Sequence, residues 1–270
     1  MNKHRFKFYI LLAGILITLA SMTICLKQEE QKRQFALDRH LVAAVVQGDD
    51  KQALALVYAG ANPNTRYKPP PLFSLFQLVA HKLNRTPEPI NDSPTAFMIA
   101  CGTPWTDEPA ILQLQAHRPD DIRLAKEMLT HGAVISIMDE DEFNLLTWAG
   151  YFHRLKTLVL IFDHGANANI VNKNGWTPLY ALTMTKPSSA IVRVFLEHGA
   201  QANMREAETG FTALYSAVNF AADKDVIRQL LQYGADPNVG DMFGVTPLIL
   251  ARRQKRSDVA TLLKQAGTTK

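Results

Sequence analysis

Cysteine is nearly missing from this chain: Cys25 and Cys101 are the only two among 270 residues. Two thiols can build neither a disulfide scaffold nor the cysteine-rich ligand set of a structural zinc site. Cys25 falls in an apolar run and Cys101 follows Ala100 at a small-residue core position, so the pair is not expected to bond and says nothing about redox compartment. Also missing are a glycine-rich phosphate loop, a nucleophile elbow and a zinc motif, which leaves catalysis without its usual parts. Excess charge is scarce as well. The net +4 lies within the first 33 residues, which hold six Lys/Arg and two acidic residues, and 23 of each sign remain from Gln34 to Lys270. A neutral body offers no electrostatic footprint for nucleic acid.

Long apolar runs are absent but for one. Phe8 to Leu26 is 19 residues without a charge, bracketed by Lys3, Arg5 and Lys7 before it and Lys27 after it. A helix of that length spans a hydrocarbon core. The competing reading is a cleaved signal peptide, with Thr18-Leu19-Ala20 as a tolerable cleavage site. Apolar residues continue through Met22, Ile24 and Leu26 past that site, which favours an uncleaved transmembrane helix within residues 1–26. Ile24 before Cys25 disfavours a lipidated cysteine. Basic residues flank both ends of the run, and the order of basic then apolar places the N-terminus in the cytoplasm with the rest of the chain on the outer side. A secreted or periplasmic product of signal cleavage is the alternative. Residues 27–35 follow as a polar linker.

What fills the remainder is repetition. Asn174-Gly175-Trp176-Thr177-Pro178-Leu179-Tyr180 opens a unit that Phe195-Leu196-Glu197-His198-Gly199-Ala200 closes. Thr-Pro reads as a helix start, because the Thr oxygen accepts from a free first-turn N–H and Pro at the first helical position has no N–H to waste. Gly199 reads as the stop, since the residue past a helix end often needs φ > 0. Starts recur at Arg39, Thr95, Asn144, Thr177, Thr212 and Thr246, and stops at Gly60, Gly132, Gly165, Gly199, Gly234 and Gly267. The last four starts are 33, 35 and 34 residues apart, and start to stop is 21 or 22 residues in five of six units. Each unit therefore has room for two short helices and a turn.

Thr177-Pro178-Leu179-Tyr180 and Gly234-Ala235-Asp236-Pro237-Asn238 resemble the Thr-Pro-Leu-His and Gly-Ala-Asp-Pro-Asn signatures of ankyrin repeats. The resemblance covers roughly residues 36 to 267 and is strongest from Asn144 onward. It implies an all-α solenoid of helix-turn-helix units joined by β-turn fingers, six ankyrin-like repeats over 36–267 with a tail at 268–270. Two insertions interrupt the N-terminal half, at 67–93 and 102–120. The first carries Leu72, Leu75, Phe76, Val79 and Leu83 at helical spacing, either a cover for the early repeats or a partner- or membrane-facing helix. The last repeat, with Arg252, Arg253, Gln254, Lys255 and Arg256, has the polar outside expected of a cap.

His131, His164 and His198 each precede a stop glycine. That suits a cap on free helix-end carbonyls better than a metal ligand. His81 and His117 have no second ligand at metal spacing, so no metal or cofactor is expected. Binding has more to stand on. Phe143, Trp176, Phe211 and Val245 immediately precede successive starts, and the resemblance puts the first three on fingers beside a concave face, with Asp141, Lys173, Glu208 and Phe243. Tyr151, Met184, Asn219 and Arg253 should face the same groove from the first helices. Aromatics, Met and Arg are enriched at interface centres, although rings before a start can equally brace their own finger. The implied function is a membrane-tethered ankyrin-repeat module that binds a protein partner and has no catalysis, small-molecule substrate or nucleic acid. The alternatives are a signal-cleaved secreted or periplasmic binder, such as an inhibitor or immunity protein, and a hydrolase assembled from His81, His117 and Cys101.

Overall fold

The computed structural model describes residues 3–66, 95–101, 120–135, 145–172 and 174–267, without the side chains of residues 3–21, 24, 25 and 96. The inserted stretch at 67–93, the loop at 102–119 and the start at Asn144 lie outside the described residues. Among those described there are twelve helices and one isolated antiparallel bridge, Arg66 with Thr95. The helices come in pairs, a first and a second per repeat. They are α1 (Lys3–Gln47) with α2 (Asp50–Tyr58), α3 (Ala96–Ala100) with α4 (Arg123–Thr130), and α5 (Leu145–Tyr151) with α6 (Leu155–Asp163). The series continues with α7 (Pro178–Thr183) and α8 (Ser189–Glu197), α9 (Ala213–Asn219) and α10 (Lys224–Gln232), and α11 (Pro247–Arg253) and α12 (Ser257–Gly267). From α5 onward first helices pack on first helices and second on second. The result is a two-layer stack.

The expected start signals act as caps. Thr95, Thr177, Thr212 and Thr246 accept from the N–H of Met98, Tyr180, Tyr215 and Ile249 at 3.2, 3.2, 3.2 and 3.4 Å. Glycines 60, 132, 165, 199 and 234 all take φ between 83° and 93°. Gly267 differs, because it is the last residue of α12. The three histidines are helix caps: His131, His164 and His198 place Nδ1 on the carbonyls of Glu127, Leu160 and Val194 at 2.9, 2.8 and 2.8 Å.

At three junctions an asparagine four residues past a stop glycine stitches one repeat to the next. Asn64 Nδ2 donates to Gly132 O while its Oδ1 accepts from Val134 N, at 2.8 and 2.7 Å. Asn169 does the same to Gly199 O and Gln201 N, at 2.9 and 2.8 Å. Asn203 repeats it on Gly234 O and Asp236 N, both at 2.8 Å.

The N-terminal end departs from the sequence reading. Arg39 is not a helix start, since α1 runs unbroken for 45 residues, roughly 68 Å at the standard rise. Nothing between Lys27 and Leu41 breaks a helix, as that stretch has neither Gly nor Pro. Leu41, Val42, Ala44 and Val45 are buried against the stack. Gln34 and Asp38 of the same helix copy the asparagine clamp with two side chains: Gln34 Nε2 donates to Gly60 O at 2.9 Å and Asp38 Oδ1 accepts from Asn62 N at 2.8 Å. Among the described residues no helix is long and apolar enough to cross a membrane.

Candidate partner-binding surface

The fingers are hairpin turns locked by acceptor side chains. Backbone bonds Asn172 N to Trp176 O, Glu206 N to Phe211 O and Asp241 N to Val245 O close them at 3.1, 2.9 and 3.1 Å. Asn172 Oδ1 accepts from the N–H groups of Asn174 and Trp176, and Asp241 Oδ1 from those of Phe243 and Val245. Glu206 accepts from Glu208 N at 2.7 Å, Thr209 N at 2.6 Å and the Thr209 hydroxyl. Burial pushes the Glu206 carboxyl up, but these donors outweigh it and hold it below the usual range. Glycines 175, 210 and 244 sit in the same turns at φ 73°, 72° and 75°. Each lies two places before a start, at Thr177, Thr212 or Thr246, where the turn requires a left-handed residue.

The last two fingers lean on the preceding repeat through a tyrosine. Tyr215 donates its hydroxyl to Asp241 Oδ2 at 3.0 Å. Burial, then the Asp241 carboxylate, pushes Tyr215 up to about 12, while the Arg253 charge pulls it down. Asp241 is held low despite burial, by the Val245 N–H, the Tyr215 hydroxyl, the Phe243 N–H and the Arg253 charge. Tyr180 is raised by burial and by the Glu206 charge one finger on. These tyrosines share the third position after their starts, a repeat signal that reading them only as helix core overlooked.

The expected surface residues divide by environment. Trp176 and Phe211 are half-buried against Tyr180 and Tyr215, at ring separations of 5.8 and 4.2 Å. They brace their own repeats while keeping one side open. Tyr151 is 45% exposed and joins Trp148 and Phe152 in an aromatic group at 5.8 and 5.0 Å. Met184 caps α7 and is half-buried; Asn219 ends α9 and its carbonyl accepts from Gln254 Nε2 at 3.0 Å. Glu208 and Arg253 are exposed, and Phe243 is 83% exposed beside Met242 at 64%. Asp141, Phe143 and Lys173 lie outside the described residues. Trp148, Phe152, Phe220 and Met242 extend the apolar surface beyond the residues expected from sequence.

The hydrolase alternative finds no assembled centre in the described residues: Cys101 is fully buried, while His81 and His117 fall outside them. Among the described residues no cluster of three or more His, Cys, Asp or Glu could hold a metal.

The family model for ankyrin repeats matches residues 143–241 with three copies. The solved structure of an ankyrin repeat domain from Acinetobacter baumannii is similar, with a TM-score of 0.62 at 22% identity, covering 84% of this chain and 97% of that one. No curated protein matches the sequence. The paired helices, asparagine stitches and locked fingers are thus the ankyrin-repeat fold, and residues 143–241 carry ankyrin repeats by sequence as well as by shape.

Proposed function

We propose that this chain is a protein-interaction module whose binding surface is formed by the finger tips and the ends of the first helices. The observation that carries the reading is the last finger. Asp241 and the Thr209 carbonyl, which accepts from Met242 N at 3.1 Å, fix its backbone, yet Met242 and Phe243 project as large, exposed apolar side chains. A rigid loop presenting such residues loses little order on binding and gains the area they cover. Tyr151, Phe220 and the open sides of Trp176 and Phe211 supply further aromatic surface, and the exposed Arg253 supplies a cation. Support for membrane attachment comes from the apolar run Phe8–Leu26. In this reading that run anchors the chain with the repeats on the outer side, and α1 then carries the stack on the same helix with no flexible joint. An inhibitor or immunity protein is the form this activity would take if the run is cleaved.

The test is a set of substitutions measured against a partner captured by crosslinking. Phe243→Ala should weaken binding by about 2 kcal/mol, roughly thirtyfold, and leave thermal unfolding unchanged, because the side chain has little to lose in the fold. Trp176→Ala should weaken binding and lower the melting temperature together, since its ring also packs on Tyr180. Unaltered affinity in both variants would remove the finger surface from the account.

A further inference from the structure

The far end of the stack carries a charge arrangement that its role as a cap does not require. Between Arg252 and Lys264 there are five basic residues and one acid, Asp258, in a body that is otherwise balanced. Two of the five have structural work. Arg256 Nη2 donates to Ala222 O at 2.6 Å, tying the last repeat to the one before it. Arg253 faces the Tyr215–Asp241 pair. The other three come from the end of α11, the turn and the last turns of α12, yet Arg252, Lys255 and Lys264 line one concavity of about 450 Å³ with Ser257, Ala260 and Thr261. Among the described residues no carboxylate pairs with any of the three. An end repeat must be polar to stay soluble, but nothing in that need favours one sign or gathers three cations around a hollow. Cations left facing one another repel, and a concavity lined by one sign concentrates counter-ions.

We propose that this concavity is a binding site for a small anion carrying at least two phosphoryl groups. The Arg252 guanidinium offers a fork of N–H donors suited to phosphoryl oxygens, Lys255 and Lys264 contribute point charges, and the Ser257 and Thr261 hydroxyls line the same wall. Thr261 donates its proton to Ser257 O at 2.8 Å and has none left for the anion, so the Ser257 hydroxyl is the donor on that side. The volume falls within the range of small-molecule pockets and accommodates a diphosphate with a compact organic group. The site lies on the last repeat and goes beyond the protein-binding reading.

The experiment uses the full chain in nonionic detergent at about 0.15 M salt, where exposed charges are largely screened. It is titrated with pyrophosphate, with sulfate, and with mixed micelles carrying phosphatidylinositol bisphosphate. Saturable pyrophosphate binding with a Kd below about 1 mM is expected, and sulfate should bind at least roughly tenfold more weakly because it brings a single anionic centre. Saturable binding of pyrophosphate assigns a soluble ligand, and binding of the micelle-borne headgroup alone assigns a lipid. Lys264→Gln and Arg252→Gln should each weaken binding severalfold, while Lys224→Gln on exposed α10 leaves it unchanged. All three positions are exposed, so an unchanged melting temperature will confirm that each variant folds. Absence of saturable binding by either phosphate probe, equal affinity for sulfate, or insensitivity to both substitutions would overturn the proposal.

Discussion

His153, Lys186, Ala221 and Lys255 occupy the turn between the two helices of their repeats with φ of 55°, 56°, 54° and 58°. Gly48 holds the corresponding turn of the first repeat at φ 75°. A Cβ in the left-handed region costs roughly 1–2 kcal/mol, so four repeats carry strain that the first avoids. Ala221→Gly should therefore stabilise the protein by about 1 kcal/mol after the added freedom of the unfolded chain is counted, read as a rise in melting temperature; a fall would mean that the Ala221 methyl packs more strongly than its backbone is strained. Tyr215 adds a pH signature. Its folded pKa, about 12, lies above the ordinary tyrosine value of 10.0, so its contribution is full below pH 10 and is lost as pH rises towards 12. Asp241 and Glu206 are shifted the other way, so their contributions are full above the ordinary carboxylate range and are lost as pH falls through their depressed values. Tyr215→Phe should flatten the alkaline limb of the stability profile, and an unchanged limb would assign it to other groups. At this scale the sequence told most about backbone: Thr caps and stop glycines act within a turn or two, so their residue types suffice to find them. The ring contacts of Trp176 and Phe211 depend on which face of the next turn carries Tyr180 and Tyr215, and the residue types left bracing and binding equally open.

Helices in this fold are too short to stand alone, with second helices of 8 to 11 residues among the described ones. Packing between repeats must hold them. Leu214 is fully buried, and Leu214→Ala should cost about 2–5 kcal/mol, with amide protection falling in α7 and α11 as well as in α9. Loss confined to α9 would contradict nearest-neighbour coupling. Asn203→Ala removes two hydrogen bonds across an interface and should cost roughly 1–2 kcal/mol. Such stitches recur four residues past a stop glycine, but their partners lie on the next repeat and residue type alone does not name them. Two other ties had no such signal. Asp120, at the end of the second insertion, accepts from Lys156 N, Thr157 N and the Thr157 hydroxyl at 2.7, 3.1 and 2.7 Å, capping α6 from the repeat before it. Gln34, in the expected linker at 27–35, and Asp38, three residues beyond it, clamp the first repeat together. Nothing in a local pattern reports a contact made by one side chain on another element.

Across the described residues the stack is continuous from α5 to α12. Among the described residues, successive repeats from α5 to α12 pack in both layers, α3 packs on α1 and α4 on α2, and Asp120 ties the second repeat to α6. Helices α5 to α12 should therefore exchange amide protons as one slow block. The exposed apolar tips at Met242 and Phe243 lie in that block, as a surface for rigid recognition requires. The most direct measurement of the interaction account places a photo-crosslinking residue at Phe243 or Tyr151 on the proposed face, and at Val159 or Tyr233 on the second helices, in the full chain in its native cells. The account predicts one discrete crosslinked protein from Phe243 and Tyr151 and none from Val159 or Tyr233. Crosslinks from Val159 or Tyr233 with none from Phe243 or Tyr151 would contradict it.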